Sequence, residues 1–527
     1  MKRTSSSIVL IFLCLILLSC TNEVSRVEII NLHTHDNIIE WNENDEALCY
    51  DVYVEEEFYV TTYKTFVDFS SLGNGTYNIK VKAISGKTNK KDSLFYNTSI
   101  TIVEIVKSDT FSVFMINDTH GAFFDGIYPG IARISSLIDT LDEDIIKIIN
   151  GDAFQGTYES NQVYGRCLID AFNQMEFDAF VIGNHEFDWG LDKIKQYSDG
   201  IEENGEANFP FLGANIIDKS SGEIVDFLKP YTIVEKNGLR VGIIGLIGYN
   251  LESSILYSNV EEYEFVYPVN IVKNLSKELR TNELCDSVIV SIHDYDTELN
   301  NTLLSFIGDY SIDAILCGHT HQLITETINN KPIVENKSQN QTAISIDFDL
   351  SDDSFVINTY YPLDYEESDL FKPLLSSYSY LKEEAETVIG YAYNNIYKST
   401  LGSIGVKQMN NEFDSVVSII NKAGIRDIIR KGDIKINDIF LMNPFNNEII
   451  TLNMKGKDIK SLINSNSDYL YYDLKIDFDK LDNETFYKVS VIDYCFYSTY
   501  YSEFRKYDYI NTKIILRDLI INYFKNQ

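Results

Sequence analysis

The sequence predicts a chain of several domains: an all-β segment, then an α/β domain of parallel strands, then a further C-terminal domain. Three observations carry this. The chain has 527 residues, too many for one hydrophobic core, so about three domains are expected. From about residue 24 to 106, β-rich runs alternate with turn signals such as Asn74-Gly75. From about residue 110 to 363, short apolar runs end in polar clusters and helical stretches lie between them, the pattern of a sheet joined by helical crossovers.

The chain opens with Lys2 and Arg3, followed by an apolar run from Ile8 to Leu18. The run is too short to span a bilayer and has the form of a signal peptide over residues 1–20. It ends Leu17-Leu18-Ser19-Cys20, which resembles a bacterial lipobox. The resemblance implies cleavage before Cys20 and lipid on its thiol. A protein of the cell envelope, outside the cytoplasm and held to the membrane through that lipid, is the expectation. No later run is long and apolar enough for a membrane-spanning helix.

Cys49, Cys167, Cys285, Cys317 and Cys495 show no pairing rhythm, so a disulfide framework is not expected. Cys317 reads as small core filler before Gly318. The formal net charge of -35 argues against binding nucleic-acid polymers or anionic lipid surfaces. It would also repel an anionic substrate unless the site itself is strongly cationic. No obligate protein partner is indicated.

In the β-rich segment, Val27, Ile29, Tyr50, Val52, Tyr53 and Val54 sit in strand-like runs. Leu72 precedes Tyr77, after which Ile79, Val81 and Ala83 alternate. This arrangement resembles a fibronectin type III domain, with Tyr77 at the tyrosine-corner position of a β-sandwich. The resemblance implies a module that spaces or adheres. His33 and His35 share one face of a strand, as metal ligands could, but read as exposed histidines.

The next region carries five motifs at strand ends. Phe111–Ile116 reads as a strand ending Asn117-Asp118-Thr119-His120-Gly121. Asp118 and His120, two apart, can grip one cation together. Ile145–Ile149 ends Asn150-Gly151-Asp152, and a single carboxylate on a glycine turn can bridge two cations. Ala179–Ile182 ends Gly183-Asn184-His185-Glu186-Phe187-Asp188. There Asn184 can bind a metal while His185 stays free for a substrate, its ring held by Asp188. Ser287–Ile292 ends in His293, and Ala314–Leu316 ends Gly318-His319-Thr320-His321. The chain has seven histidines, and five of them fall at these ends. Oxygen and imidazole without thiolate favour Zn, Mn, Fe or Co over a structural thiolate zinc site.

These motifs, in this order, resemble the calcineurin-like metallophosphoesterases. Gly156, the run Gly183 to Asp188 and the segment Phe209-Pro210-Phe211-Leu212-Gly213-Ala214-Asn215 resemble the branch of 5′-nucleotidases and UDP-sugar hydrolases. The resemblance covers residues 110–363 and implies a layered β-sandwich flanked by helices. It implies two divalent ions, one held by Asp118, His120, Asp152 and His321, the other by Asp152, Asn184, His293 and His319. His185 and Asp188 would form a catalytic dyad. The implied reaction is phosphoryl transfer to water, in which the ions lower the pKa of a water and neutralise phosphate oxygens. One departure is Asp294-Tyr295-Asp296 after His293, where the family has a small residue or His. These extra carboxylates are expected to bear on metal choice or substrate reach.

Residues 364–389 read as a linker. From Pro373 onwards Leu374, Tyr378, Leu381, Ala385 and Val388 recur at helical spacing, and Gly390 would end the helix. Residues 390–527 resemble the 5′-nucleotidase C-terminal domain, an α+β fold. The matching runs are Asn421 to Arg426, Lys431 to Ile434, Asn443 to Asn447 and Met454 to Gly456. By position, Asn421 and Arg426 would touch substrate, Phe445 would stack on a base and Tyr494 would be a second stacking ring. The sequence departs from the family in two places. Ser498-Thr499-Tyr500-Tyr501 stands where a Gly-Gly-Asp-Gly loop would hold ribose. The Arg-bearing segment upstream of Asn421 is shortened, leaving Lys398 and Lys407 as basic candidates.

The expected function is metal-dependent hydrolysis of extracellular phosphate esters, with nucleoside phosphates first. UDP-sugar hydrolysis and 2′,3′-cyclic-nucleotide phosphodiesterase activity are the alternatives within that chemistry. A surface binding lipoprotein on a phosphatase scaffold is the alternative of another class. Every ligand position is filled, which favours an enzyme.

Overall fold

The structure, a computed structural model, describes residues 25–35, 37–102, 107–201, 203 and 205–527. The signal segment and Cys20 lie outside the described residues. The chain divides into two compact units, Met1–Val106 and Lys107–Gln527.

The first unit is a β-sandwich. One sheet orders Ile30–His35, Ile38–Asn42 and Phe66–Asp68, and the other Glu57–Thr62, Ala47–Val54, Gly75–Ser85 and Tyr96–Ile102. All pairings between these strands are antiparallel. The alternation along Gly75–Ser85 turns Ile79, Val81 and Ala83 inward, where they meet Ile39, Trp41, Val52 and Ile100. The Tyr77 hydroxyl donates to the Gly73 carbonyl at 2.8 Å, the hydrogen bond of a tyrosine corner. His33 pairs with Glu40 at 2.6 Å on the exposed surface.

The second unit begins with two six-stranded sheets packed face to face. The first orders Phe211–Leu212, Ala179–Val181, Ile146–Asn150, Thr110–Asn117, Ala343–Asp349 and Ser354–Tyr360. The second orders Tyr231–Lys236, Leu239–Ile247, Ser287–His293, Ala314–Cys317, Lys331–Glu335 and Ile324–Ile328. In each sheet the four strands that follow one another as parallel neighbours have carboxyl ends on the same side. Period two decides the layers. Val113, Met115, Ile146 and Ile148 face Val241, Ile289 and Leu316 between the sheets. Phe114, Ile116 and Ile149 face outward onto helices Ile131–Ile138 and Arg166–Gln174. Val288, Val290 and Ile292 face outward onto Val269–Thr281 and Thr297–Leu304. Both faces of each sheet are covered, which is why the central strands read as continuous apolar runs.

The linker differs from the expected single helix. Helix Lys372–Ser377 stops at Tyr378, a second helix runs Ser379–Ala385, and Gly390 lies inside strand Val388–Ala392. Tyr378 is drawn out of helical geometry by tertiary contacts. Its hydroxyl donates to Asp170 at 2.6 Å and its ring meets Phe123 edge to face. The C-terminal part is α+β. A five-stranded sheet orders Leu470–Leu474, Val417–Asn421, Phe486–Ile492, Glu448–Lys455 and Tyr509–Ile515. Helices Lys398–Phe413 and Leu516–Lys525 join its core through Leu401, Met409, Leu516 and Ile520. Among the described residues no helix is long and apolar enough to cross a membrane.

Two buried asparagines tie the paired sheets together at their carboxyl ends. The Asn150 amide donates to the carbonyls of Ile292 and Leu316 in the opposite sheet, at 3.1 and 3.0 Å. Asn117 donates to the Asn336 carbonyl at 3.0 Å. Removing such a donor inside the protein strands its acceptors. Asn150→Ala is expected to destabilise the second unit by about 1–3 kcal/mol, read as a lowered thermal unfolding midpoint. An unchanged midpoint would show that the crosslink contributes nothing net.

Candidate active site

The parallel strands deliver their polar residues to one place. The backbone there is unusual: Asp118, His120, Asp152, His319 and His321 all have positive φ, between 45° and 76°. Left-handed non-glycine residues are uncommon, and a cluster of them marks a place where surrounding structure over-determines the chain. The intervening glycines are sterically required. A methyl group on Gly156 would run into the His120 carbonyl, and one on Gly183 into the Asp152 carboxylate.

Two groups of ligand-type atoms result. Asp118, His120 and His321 form one, and Asp152, His293 and His319 the other, with the ligand atoms of each group within 4.8 Å of one another. In the first, His120 Nε2 and His321 Nε2 are 3.1 Å apart, and His321 Nε2 is 3.1 Å from Asp118 Oδ1. In the second, His293 Nε2 is 3.0 Å from Asp152 Oδ2. The hydrogen bonds behind these atoms set their orientation. His120 Nδ1 faces the Gln155 carbonyl at 3.1 Å and His293 Nδ1 the Asn150 carbonyl at 2.9 Å. Donation there leaves each Nε2 as the lone-pair nitrogen aimed inward. Asp118 Oδ2 accepts from the Asn117 amide and the His319 backbone, so Oδ1 is left over.

Asp118 Oδ1, Asn184 Oδ1 and His293 Nε2 are buried without a hydrogen-bond partner. Buried polar atoms of native proteins are almost always satisfied. These three, with imidazoles and carboxylates around them, fit divalent cations as the missing partners. The electrostatics agree. Burial and neighbouring rings hold His120 below its ordinary pKa and bring His319 down to about 4. Burial also acts to lower His293, but Asp152 and Asp118 outweigh it and lift the ring to about 10. A proton and a cation therefore compete for the same nitrogen.

His185 stands beside these groups. Its Nδ1 is 2.8 Å from Asp188 Oδ2, its backbone N–H donates to Asp152 Oδ1 at 2.7 Å, and its Nε2 is 3.9 Å from Asp152 Oδ2. Burial opposes a charge on the ring, but Asp188 and Asp152 overcome it and the pKa is raised.

One residue of the motif had no role assigned from sequence. Glu186 is fully buried, and its carboxylate accepts from the backbone N–H groups of Asp152, Gly183 and Ala153 at 2.8, 2.8 and 3.0 Å. It holds the loops that carry Asp152 and Asn184. Burial, then the Asp152 charge, pushes its pKa up to about 7.

The extra carboxylates after His293 turn away from the site, contrary to the expectation that they would bear on metal or substrate. Asp296 caps helix Thr297–Leu304 by accepting from Leu299 N. Asp294 packs on Gly248 and accepts from Tyr295 N at 2.8 Å. Short side chains at a helix start are used for capping first.

A cavity of about 690 Å³ opens over the site. Its walls include Asp152, Asn184, His185, His319 and His321 from one side, and Asn421, Arg426, Phe445 and Tyr494 from the other. Asn421 ends its strand, Arg426 follows the Lys422–Gly424 turn, and Tyr494 lies in the short helix Asp493–Tyr497 that follows Phe486–Ile492. The Phe445 ring centroid is 5.7 Å from that of His185. The two sides are joined by Asn161 Nδ2 on the Pro444 carbonyl and the Tyr494 hydroxyl on the Ser253 carbonyl, both at 3.0 Å. Ser498, Thr499 and Tyr500 line a different cavity beyond Tyr494.

Arg517 was not legible as part of this site. It is 4% exposed, and its guanidinium donates to the carbonyls of Asn443, Pro444 and Phe445 at 3.3, 2.8 and 3.1 Å. It also lies 3.7 Å over the Phe440 ring. Arg517 shapes the loop that presents Phe445.

Comparison with known proteins agrees with this geometry. The model of the calcineurin-like phosphoesterases matches residues 111–323, and that of the 5′-nucleotidase C-terminal domain matches residues 382–480. The endonuclease YhcR of Bacillus subtilis is 25% identical over 328 residues, covering 56% of this chain but 26% of its own length. A 5′-nucleotidase of Vibrio parahaemolyticus is 23% identical over 434 residues, covering 67% of this chain and 74% of its own. The crystal structure of a 5′-nucleotidase precursor from Thermus thermophilus superposes with a TM-score of 0.68 at 19% identity, over 79% of this chain and 96% of that one. At that identity it speaks for the fold. The chain thus carries a calcineurin-like phosphoesterase domain followed by a 5′-nucleotidase C-terminal domain, the make-up of a metallophosphoesterase enzyme.

Proposed function

We propose that the protein hydrolyses extracellular nucleoside phosphates, acting as a 5′-nucleotidase that requires two divalent ions. The observation that carries the proposal is the single cavity. It joins metal-ligand candidates of the phosphoesterase part to Asn421, Arg426 and Phe445 of the C-terminal part. Asp118, His120, Asp152 and His321 would hold one ion, and Asp152, Asn184, His293 and His319 the other. When bound, the ions supply Lewis acidity and lower the pKa of the attacking water.

The chain's own groups do the rest. Asp188 accepts from His185 Nδ1–H and so fixes which nitrogen faces the cavity. His185 Nε2 can then give a proton to the departing oxygen or stabilise its charge. Arg426, exposed on the cavity wall without a side-chain partner among the described residues, offers donors to phosphate oxygens. Phe445 offers a ring face to a base. The cationic site reconciles an anionic substrate with a net charge of -35.

For the remaining parts, the Leu17 to Cys20 motif supports a lipid anchor at Cys20 and a place on the outer side of the membrane. The tyrosine-corner bond at Tyr77 supports a fibronectin type III-like spacer over residues 24–106. Domain limits of 110–363, 364–389 and 390–527 are proposed from the sequence, although strand Val388–Ala392 runs across the last of them.

Three outcomes test these assignments. His185→Ala should lower turnover by about 10²–10⁴-fold with metal content retained, whereas Glu186→Gln should lose bound metal, because an amide cannot accept from three backbone donors. Elemental analysis beside rate measurement separates the two, and loss of metal from His185→Ala would refute its placement outside the ligand set. Phe445→Ala should cost about 1–3 kcal/mol in kcat/KM with a nucleoside monophosphate but not with p-nitrophenyl phosphate. Equal losses would remove the base-stacking role and the nucleotide preference with it. Metabolic labelling with palmitate should mark the wild-type chain and not Cys20→Ser; a label on both would exclude Cys20 as the anchor.

A further inference from the structure

One donor on the cavity wall has no acceptor. Gln155 is 1% exposed, and its side-chain Nε2 is buried without a hydrogen-bond partner among the described residues. Asp118 Oδ1, Asn184 Oδ1 and His293 Nε2 share that state. Those three are lone-pair atoms, which a divalent cation satisfies. Gln155 Nε2 carries N–H groups, so a cation cannot satisfy it. It needs an acceptor, and a buried amide donor left without one is costly.

The backbone fixes where this side chain stands. The Gln155 carbonyl faces His120 Nδ1 at 3.1 Å. The next residue, Gly156, is so close that a methyl group there would overlap the His120 carbonyl, and its N–H donates to Asn161 Oδ1 at 3.0 Å. Gln155 is thus tied to a candidate ligand of one ion. It lines two cavities, the one of about 690 Å³ described above and a small one of about 80 Å³ beside His120 and His321. His321 and Arg426 also line both. The amide therefore stands where the candidate ligands of one ion meet the arginine proposed to bind phosphate oxygens.

We infer that Gln155 is a catalytic residue whose side-chain amide donates a hydrogen bond to an oxygen of the phosphoryl group being transferred. The inference rests on the metal-dependent hydrolysis proposed above but not on the nucleotide preference. Phosphoryl oxygens are anionic acceptors and match the missing partner. A neutral donor suits the place, since a lysine so close to two cations would be repelled. A donor already buried and held has little reorganisation left when charge develops on those oxygens. Turned about, the amide would offer Oε1 to an ion and act as a ligand; the two roles respond oppositely to substitution.

The test measures metal content, affinity for inorganic phosphate by calorimetry and kcat/KM on AMP and p-nitrophenyl phosphate, for the metal-loaded wild type, Gln155→Met and Gln155→Glu. Methionine keeps the length and removes the donor, whereas glutamate keeps an oxygen and adds a charge. Gln155→Met should retain both metal equivalents and bind phosphate more weakly. Its kcat/KM should fall about tenfold, the size expected from losing one charge-assisted hydrogen bond, and equally on both esters, which present the same phosphoryl group. Gln155→Glu should be damaged further, because its carboxylate would face phosphoryl oxygens. Loss of a metal equivalent from Gln155→Met that Gln155→Glu restores would make Gln155 a ligand and overturn the donor role. Unchanged phosphate affinity and kcat/KM in Gln155→Met would overturn it as well, as would a loss confined to AMP. A loaded wild type that cleaves neither ester would overturn the hydrolase reading instead.

Discussion

The active-site loops depend on one buried carboxylate. Glu186 spans the gap between two neighbouring strands and collects the backbone donors of Asp152, Ala153 and Gly183. Those donors belong to the sharp turns that aim Asp152 and Asn184 at the cavity. A carboxylate is the one side chain with enough acceptor sites to hold several donors at once. Around this anchor further hydrogen bonds hold the site. Asn117 and Asn150 lock the two sheets from below, and carbonyls fix the rings of His120 and His293 from behind. Groups held this way are aimed by the fold itself, which is what electrostatic stabilisation without reorganisation requires.

The C-terminal part is organised differently. Its contribution to the cavity comes from loops held by buried charge. Arg517 gathers three successive carbonyls around Phe445. Asp493 accepts from Glu448 N, Tyr494 N and the Asn447 amide, and burial pushes its pKa up to about 6. One cation and one carboxylate, each deep in the fold, thus position Phe445 and Tyr494. Both meet the phosphoesterase part beside backbone carbonyls, at Pro444 and Ser253, and Tyr158 adds a further contact through Asn437 and the Phe440 ring.

Much of this was legible from sequence because catalysis constrains residue type and place together. Strand-end histidines and carboxylates separated by glycine turns leave a pattern that no packing requirement produces. The strands themselves, Thr110–Asn117, Ile146–Asn150 and Ser287–His293, extended one residue or so beyond the apolar runs, because backbone pairing continues into the first polar residue. What was not legible is tertiary. Nothing around Arg517 marks it as the support of a loop some seventy residues earlier. The linker helix broke at Tyr378 because a hydroxyl found Asp170 across the fold. Asp294 and Asp296 were expected to bear on metal choice or substrate reach by adjacency, but side-chain direction and helix capping took them elsewhere.

The left-handed backbone at five candidate ligand positions has a consequence for how such a site can decay. Asp, Asn and His tolerate that conformation better than other side chains, and β-branched residues tolerate it least. Ligand chemistry and backbone geometry thus select overlapping residue types at the same positions. A drifting descendant that no longer needs its metals would keep the fold most easily by replacing these residues with Asn or Gly. Replacement by Val or Ile would strain the turns as well as empty the site. The mark of a retired relative would be a row of asparagines and glycines at intact strand ends, with the sheets beneath them unchanged.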